Sequence, residues 1–138
     1  MVVSVTRGGL FTAPQGSAVV RVSPEGKVED KPVVEAKTPL GGLGVAPEGF
    51  GAYGGQLFVT ELGTFQLPVP MTQPLVADGK VHRVTPEGKL ELVASGFVNP
   101  LGLRFVGKKL WVTDINGDFI GGRRELPDGF IVEITPNK

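Results

Sequence analysis

Several features that define whole classes of proteins are absent from this sequence of 138 residues. It contains no cysteine, which excludes disulfide scaffolds, zinc–thiolate sites and thiol catalysis but leaves the cellular compartment open. Basic and acidic residues balance at 14 each, so the basic excess that nucleic-acid binding requires is missing. No apolar run approaches the roughly 20 residues of a membrane span, and residues 1–13 lack the apolar segment of a secretion signal. We therefore expect neither a nucleic-acid nor a membrane partner.

Sustained helical periodicity is missing as well, whereas turn-forming residues are abundant. The 21 glycines and 12 prolines fall between short runs rich in Val, Leu and Phe. This punctuation is typical of all-β proteins. No stretch repeats apolar residues with a period near 3.6, so we expect almost no helix.

Short sequence elements recur along the chain, and internal repeats indicate a modular architecture. One is a strand that ends in Glu or Asp in two of its three copies, one is a strand that is followed by Pro-Glu-Gly in two of its three copies, and one is a Leu-Gly-rich strand. The Pro-Glu-Gly sequence fits a tight turn because Pro presets φ and Gly tolerates a positive φ. The aligned copies are Leu10–Ala13, Leu57–Glu61 and Leu110–Asp114; Val19–Lys27, Val81–Lys89 and Ile131–Lys138; Pro39–Val45 and Asn99–Phe105.

These repeats predict an all-β fold of β-propeller blades, each a four-stranded antiparallel sheet, with three blades in a single domain 1–138. Blade one is 1–38, blade two is 39–96, and blade three is 97–138 and lacks its outer strand. A β-sandwich or barrel also has many short strands but has no reason to repeat a four-stranded unit. The predicted strands are Val2–Thr6, Leu10–Ala13, Ala18–Ser23 and Lys27–Ala36; Gly42–Ala46, Gln56–Glu61, Lys80–Thr85 and Lys89–Ala94; Gly102–Val106, Lys109–Asp114 and Phe130–Thr135.

Half a propeller has open sheet edges, which invite further pairing. A twofold homodimer would supply six blades and bury both ends. We therefore expect a homodimer, the alternative being that these residues belong to a longer propeller.

The sequence resembles a group of six-bladed propellers. The runs that carry the resemblance are Gly49–Phe58, Gly79–Gly88, Asn99–Leu103 and Leu110–Asp114. The group includes NHL-repeat proteins, gluconolactonase-type lactonases, strictosidine-synthase-like proteins and quinone-dependent sorbosone or glucose dehydrogenases, and Gly49–Phe58 is most similar to the dehydrogenase branch. These families share a fold and differ in activity, so the resemblance implies the propeller rather than one reaction.

Two long connections are the expected ligand-binding segments. The stretch 62–79 follows the second predicted strand of blade two, and 115–129 follows the second predicted strand of blade three, whereas blade one has only a short connection at that point. Long loops on a rigid scaffold often carry function, although they also pack against neighbouring subunits. The predicted ligand-binding residues are Phe65, Gln66, Asn116, Arg123 and Arg124.

A divalent-metal site, with calcium the first choice, is predicted at the ends of these strands. Carboxylate and amide oxygens suit hard cations, and the resemblance to gluconolactonase-like enzymes points to Glu61, Asn99 and Asp114. Asp118 joins them because residues 114–125 have the ligand spacing of a calcium loop, although Phe119 replaces its glycine. The alternative is that these side chains bind turn amides.

The sole histidine and the sole tryptophan are both interpreted as structural. His82 aligns with apolar strand positions, which favours a packed imidazole over a catalytic base. Trp111 aligns with Phe58, which predicts a place in the core between blades. Glu61 and Asp114, by contrast, are expected to point into a wet opening.

The functional hypothesis is a propeller binding module with a small-molecule or peptide site at the channel mouth. No complete catalytic set is visible, so whether the protein is an enzyme stays open. The alternative functions are a metal-dependent lactonase-type hydrolase or a degenerate relative of the quinone-dependent sugar dehydrogenases.

Overall fold

A computed structural model describes residues 1–9, 13–64, 76–115 and 129–136, with residues 7–9 and 13–15 described by their backbone alone. These ranges contain ten strands, one short 3-10 turn at Gly51–Tyr53 and no α-helix, which confirms the all-β prediction. None of their helical segments has the length and apolar character needed to cross a membrane. The strands are β1 Val2–Gly9, β2 Ala13–Arg21, β3 Val34–Ala36, β4 Leu40–Val45, β5 Leu57–Glu61, β6 Gly79–Val84, β7 Leu90–Phe97, β8 Pro100–Val106, β9 Lys109–Ile115 and β10 Gly129–Ile134.

The strands form three antiparallel sheets that follow one another along the chain. Sheet 1 has the order β1-β2-β3, sheet 2 the order β4-β5-β6-β7, and sheet 3 the order β8-β9-β10. Sheet 2 lies between the other two, because one apolar cluster joins it to sheet 1 and another joins it to sheet 3. The strands of sheets 2 and 3 match the predicted ones within a few residues.

The prediction of four strands in the first unit is wrong. The strand beginning at Val2 pairs directly with the one ending at Arg21, in a register that runs from Val2↔Arg21 to Gly9↔Ala13. Residues 10–12 of the predicted strand Leu10–Ala13 lie outside the described ranges, and Ala13 is the first residue of β2. β1 pairs with β2 as β5 pairs with β6 and as β9 pairs with β10. β1 is therefore the equivalent of β5 in sheet 2 and of β9 in sheet 3.

Sheets 2 and 3 repeat each other in backbone detail. In both, the register of the first strand shifts near a glycine: between Leu40 and Leu43 in β4, and between Pro100 and Gly102 in β8. The amide of Gly42 donates to Thr60 Oγ1 at 2.9 Å, and the amide of Gly102 donates to Thr113 Oγ1 at 3.0 Å. The sequence repeat is therefore also a repeat of structure.

The inner strands β4 and β8 approach closely because β4 is rich in glycine. A Cβ added to Gly42 would lie 2.8 Å from both the carbonyl oxygen of Leu101 and the amide nitrogen of Leu103. Real Cβ atoms do not come that close to backbone, so this contact between sheets depends on glycine.

The larger apolar cluster lies between sheets 2 and 3, and aromatic rings dominate it. Phe58 is fully buried and meets Phe50 and Phe105 edge to face, with ring centroids 5.6 and 5.3 Å apart. Leu110 and Val112 of β9 close the cluster from the other side. Edge-to-face pairs of this kind add stability beyond their buried area.

The predicted core position of Trp111 is wrong in the single chain. Its side chain is 40% exposed, whereas the aligned Phe58 is fully buried. Strand alternation directs Leu110 and Val112 towards sheet 2 and therefore turns Trp111 to the opposite face. No described element covers that face.

Candidate functional site at the carboxylate edge

The ends of β5 and β9 lie at the same edge of the sheets, here called the carboxylate edge after Glu61 and Asp114. Glu61 is opposite Leu40, and Asp114 is opposite Pro100 at the equivalent position. The long connections 62–78 and 116–128 both leave from this edge. The structure therefore brings the predicted carboxylates to the base of the predicted binding segments.

Glu61 is held by donors from three directions. Its Oε1 accepts a hydrogen bond from Thr38 Oγ1 at 2.6 Å and lies 3.6 Å from Lys80 Nζ. Its Oε2 lies 2.5 Å from His82 Nε2. Burial raises the pKa of Glu61, but the hydrogen bonds from Thr38 and His82 and the charge of Lys80 outweigh it, so the pKa lies below its ordinary value. The carboxylate is thus ionised and internally paired.

His82 is a packed imidazole, as the sequence alignment predicted. It is 7% exposed, and its Nδ1 has no hydrogen-bond partner within the described residues. The pairing with Glu61 was not predicted. In the antiparallel register His82 is opposite Val59, two positions from Glu61 on the same face, which places the two side chains diagonally. The sequence did not reveal this contact, because β5 and β6 are joined by a long connection and such a connection does not specify the register of the two strands.

Asp114 serves as an acceptor for the turn that leads into β8. Its carboxylate accepts the amide of Val98 at 2.9 Å and that of Asn99 at 2.6 Å. The carbonyl of Asn99 in turn accepts the amide of Ile115 at 3.1 Å. Asp114 is only 7% exposed, so the expectation that it points into a wet opening is wrong. Glu61 departs from the same expectation, since 13% of its side chain is exposed.

Asn99 carries an unusual atom at this edge. The residue is 7% exposed, and its Oδ1 has no hydrogen-bond partner in the described part of the chain. Most buried acceptors in native proteins are paired, so each exception calls for an explanation. Of the three predicted metal ligands that lie in the described ranges, Glu61, Asn99 and Asp114, Asn99 is the one whose side-chain oxygen is not engaged by a described donor.

A second carboxylate brace, which the sequence interpretation missed, joins the two ends of the connection 62–78. Asp78 Oδ1 accepts the amide of Thr64 at 2.6 Å, and its Oδ2 accepts the Thr64 hydroxyl. Burial raises the pKa of Asp78, but the Thr64 bonds and the charge of Lys80 lower it by more. A Cβ on Gly63 would lie 2.3 Å from the carbonyl oxygen of Val98, so this brace adjoins the turn held by Asp114. The signal in the sequence that could have predicted this brace is the presence of an Asp and a Thr at opposite ends of one loop.

The remaining predicted site residues lie outside the described ranges: Phe65, Gln66, Asn116, Asp118, Arg123 and Arg124. Within the ranges that are described, no three His, Cys, Asp or Glu side chains are grouped so that they could hold a metal ion. Glu61 and Asp114 have the internal donors given above. Metal binding by Glu61, Asn99, Asp114 and Asp118 stays a prediction.

A cavity of about 470 Å³ lies at the opposite edge of the stack, between sheets 1 and 2. The starts of β1 and β5 and the ends of β2 and β6 line it, with Arg21, Glu29, Lys31 and Glu87 around it. Arg21 and Glu29 form an exposed ion pair at 3.9 Å. The sequence did not predict this cavity. Because it lies far from the carboxylate edge, it serves as the control region in tests of ligand binding at that edge.

Comparison of the chain with protein-family models, with curated proteins and with solved structures found no match. The function of the chain is therefore inferred from the geometry of the site.

Proposed function

We propose that the three sheets are blades of a β-propeller, completed by a second copy, and that the chain is a binding module whose ligand site lies at the carboxylate edge. The observation that carries the proposal is Asn99 Oδ1, a buried acceptor without a described partner at the base of two long connections. An acceptor of this kind is satisfied when a ligand brings a donor. The matching ligand is a neutral polar molecule with hydroxyl or amide donors, such as a sugar or a short peptide.

The braces around Asn99 support this proposal because they preorganise the edge. Asp114 holds the backbone on one side of the turn, and Asp78 holds both ends of the connection 62–78. A site that is rigid before binding loses less conformational entropy when a ligand arrives. Loops on such a scaffold are where binding residues concentrate.

The same hydrogen bonds favour binding over catalysis. A metal-dependent hydrolase uses carboxylate oxygens as ligands, whereas Glu61 and Asp114 accept hydrogen bonds from their own chain. A catalytic base has to reach the substrate proton, whereas His82 is buried with Nε2 on Glu61. These contacts support the binding module over the lactonase and dehydrogenase alternatives.

The proposal is tested by amide NMR titration of the uniformly labelled protein with monosaccharides, sugar lactones and short peptides, each followed separately. We expect one of these classes to shift the amides of Thr64, Val98 and Asn99 and to leave those of the opposite edge unchanged. Asn99→Leu removes the acceptor at similar volume, so it should abolish binding while the melting temperature stays level or rises. The matched control at the opposite edge, Glu29→Gln, should bind as the wild type does.

Two results would contradict the proposal. Shifts confined to the residues around the 470 Å³ cavity would place the ligand site at the other edge. Calcium chloride that raises the melting temperature, together with lactone hydrolysis lost in Glu61→Ala, would establish the metal-dependent hydrolase instead.

A further inference from the structure

Each sheet has two faces, and the strand registers align these faces across the three sheets. We call the face that looks towards the following sheet the forward face and the opposite one the rear face. Matching the pairs β1–β2, β5–β6 and β9–β10 gives the equivalent positions. The forward faces carry Val2, Ser4 and Val19 in sheet 1, Phe58, Thr60 and Val81 in sheet 2, and Trp111, Thr113 and Ile131 in sheet 3. The rear faces carry Val3, Val5 and Val20, then Val59, Glu61 and His82, then Val112, Asp114 and Val132.

Within the chain, the rear face of sheet 2 covers the forward face of sheet 1, and the rear face of sheet 3 covers the forward face of sheet 2. Val19 of sheet 1 is fully buried in a cluster with Val59 of sheet 2. Phe58 and Val81 of sheet 2 are fully buried in a cluster with Val112 of sheet 3. One mode of sheet packing is thus used twice in succession.

Among the described residues, no sheet covers either end face of the stack, and each of these faces exposes apolar side chains. On the forward face of sheet 3, Trp111 is 40% exposed and Ile131 is 68% exposed, where the equivalent residues of sheet 2 are fully buried. On the rear face of sheet 1, Val5 is 43% exposed at the position that Glu61 and Asp114 occupy in the other sheets. Large apolar side chains exposed on an uncovered sheet face often mark an interaction surface.

The indole N–H on the forward face of sheet 3 is already paired, so burying the face leaves that donor satisfied, and Arg104, which is opposite Trp111, lies exposed on the same face. Trp111 Nε1 donates to Glu133 Oε2 at 3.1 Å, and Glu133 Oε1 lies 2.9 Å from Lys109 Nζ. Tryptophan with its N–H satisfied is a common anchor of protein interfaces.

We infer that the forward face of sheet 3 docks on the rear face of sheet 1 of a second copy of this chain. The docking continues the mode of packing that already joins sheets 1 and 2 and sheets 2 and 3. The contact is head-to-tail, so two copies use both open faces of each chain and close a ring. The ring closure rests on the propeller arrangement proposed above, whereas the docking requires no ligand.

The sole tryptophan lies on the inferred interface and reports on it directly. Light scattering at high concentration should give twice the 14.5 kDa mass of one chain. Dilution from about 100 µM to about 0.1 µM should shift the Trp111 emission to the red and increase its quenching by acrylamide, because dissociation exposes the indole. A 14.5 kDa particle at the highest concentration, or emission that is independent of concentration, would overturn the inference.

Substitutions on the two faces separate head-to-tail docking from other modes of association. Ile131→Lys on sheet 3 and Val5→Lys on sheet 1 should each yield a monomer with the far-UV circular dichroism of the wild type. Leu92→Lys is the matched control, since Leu92 is 56% exposed on the outer strand of sheet 2 and on neither open face. A pairing of two sheet 3 faces would leave Val5→Lys dimeric, and that result would refute the head-to-tail contact. A failure of ligand binding at the carboxylate edge leaves all these readings unchanged, so the ligand site and the docking of two copies are tested separately.

Discussion

Replacing Asp114 by alanine tests whether this carboxylate is a structural brace. It is 7% exposed and accepts the amides of Val98 and Asn99 at 2.9 and 2.6 Å. Hydrogen bonds to a charged group contribute about 1.5–3 kcal/mol each. Val98 is only half-buried, so water replaces part of its bond, whereas Asn99 is buried. We therefore expect Asp114→Ala to lower the free energy of unfolding by about 3 kcal/mol.

The conservative variant and a matched control make this prediction specific. Asp114→Asn keeps one acceptor oxygen, so its loss should be about half as large. Asp30 is exposed, and Asp30→Ala should change stability by less than about 0.5 kcal/mol. Denaturant unfolding at one fixed protein concentration provides the midpoints and slopes. If Asp114→Ala unfolds within about 0.5 kcal/mol of the wild type, the brace is wrong and the predicted metal-ligand role regains its basis.

Two further predictions concern the core and the buried ion pair. Phe58→Ala should cost about 3–5 kcal/mol in denaturant unfolding, because Phe58 is fully buried among aromatic rings, and a loss below about 1 kcal/mol would contradict this packing. The pKa of Glu61 lies below its ordinary 4.5, so its stabilising contribution is present above that pH and lost as the pH falls through the lower, folded-state value. Glu61→Gln should therefore lose less stability than the wild type between pH 5 and pH 3, and parallel pH curves would contradict the pairing.

The strands of sheets 2 and 3 were predictable because local pattern and turn chemistry agree there. Apolar runs bounded by Gly, Pro and Asn signals need only short-range rules to be recognised as strands. Sheet 1 was harder because Leu10–Ala13 resembles the strands Leu57–Glu61 and Leu110–Asp114, yet the flanking strands β1 and β2 pair directly with each other. Which strands pair is decided by the whole sheet and not by one segment.

The position of the candidate site could be predicted from the sequence, whereas its contacts could not. Alignment of the repeats placed Glu61 and Asp114 at equivalent strand ends, and the structure keeps them equivalent. Their partners come from segments that are distant in sequence: Glu61 contacts Thr38 and His82. No local rule specifies such distances, because the register across a long connection is set by tertiary packing.

The sequence by itself determined the all-β class, the repeating strands and the edge at which the long connections leave, because turn residues and strand alternation act over a few positions. Only the tertiary structure decided which face of each strand is covered. Phe58 and Trp111 hold the same repeat position, yet one is fully buried and the other is 40% exposed. The physical reason is that burial is a property of the neighbouring sheet: sheet 2 has sheet 3 against its forward face, and no described element lies against the forward face of sheet 3.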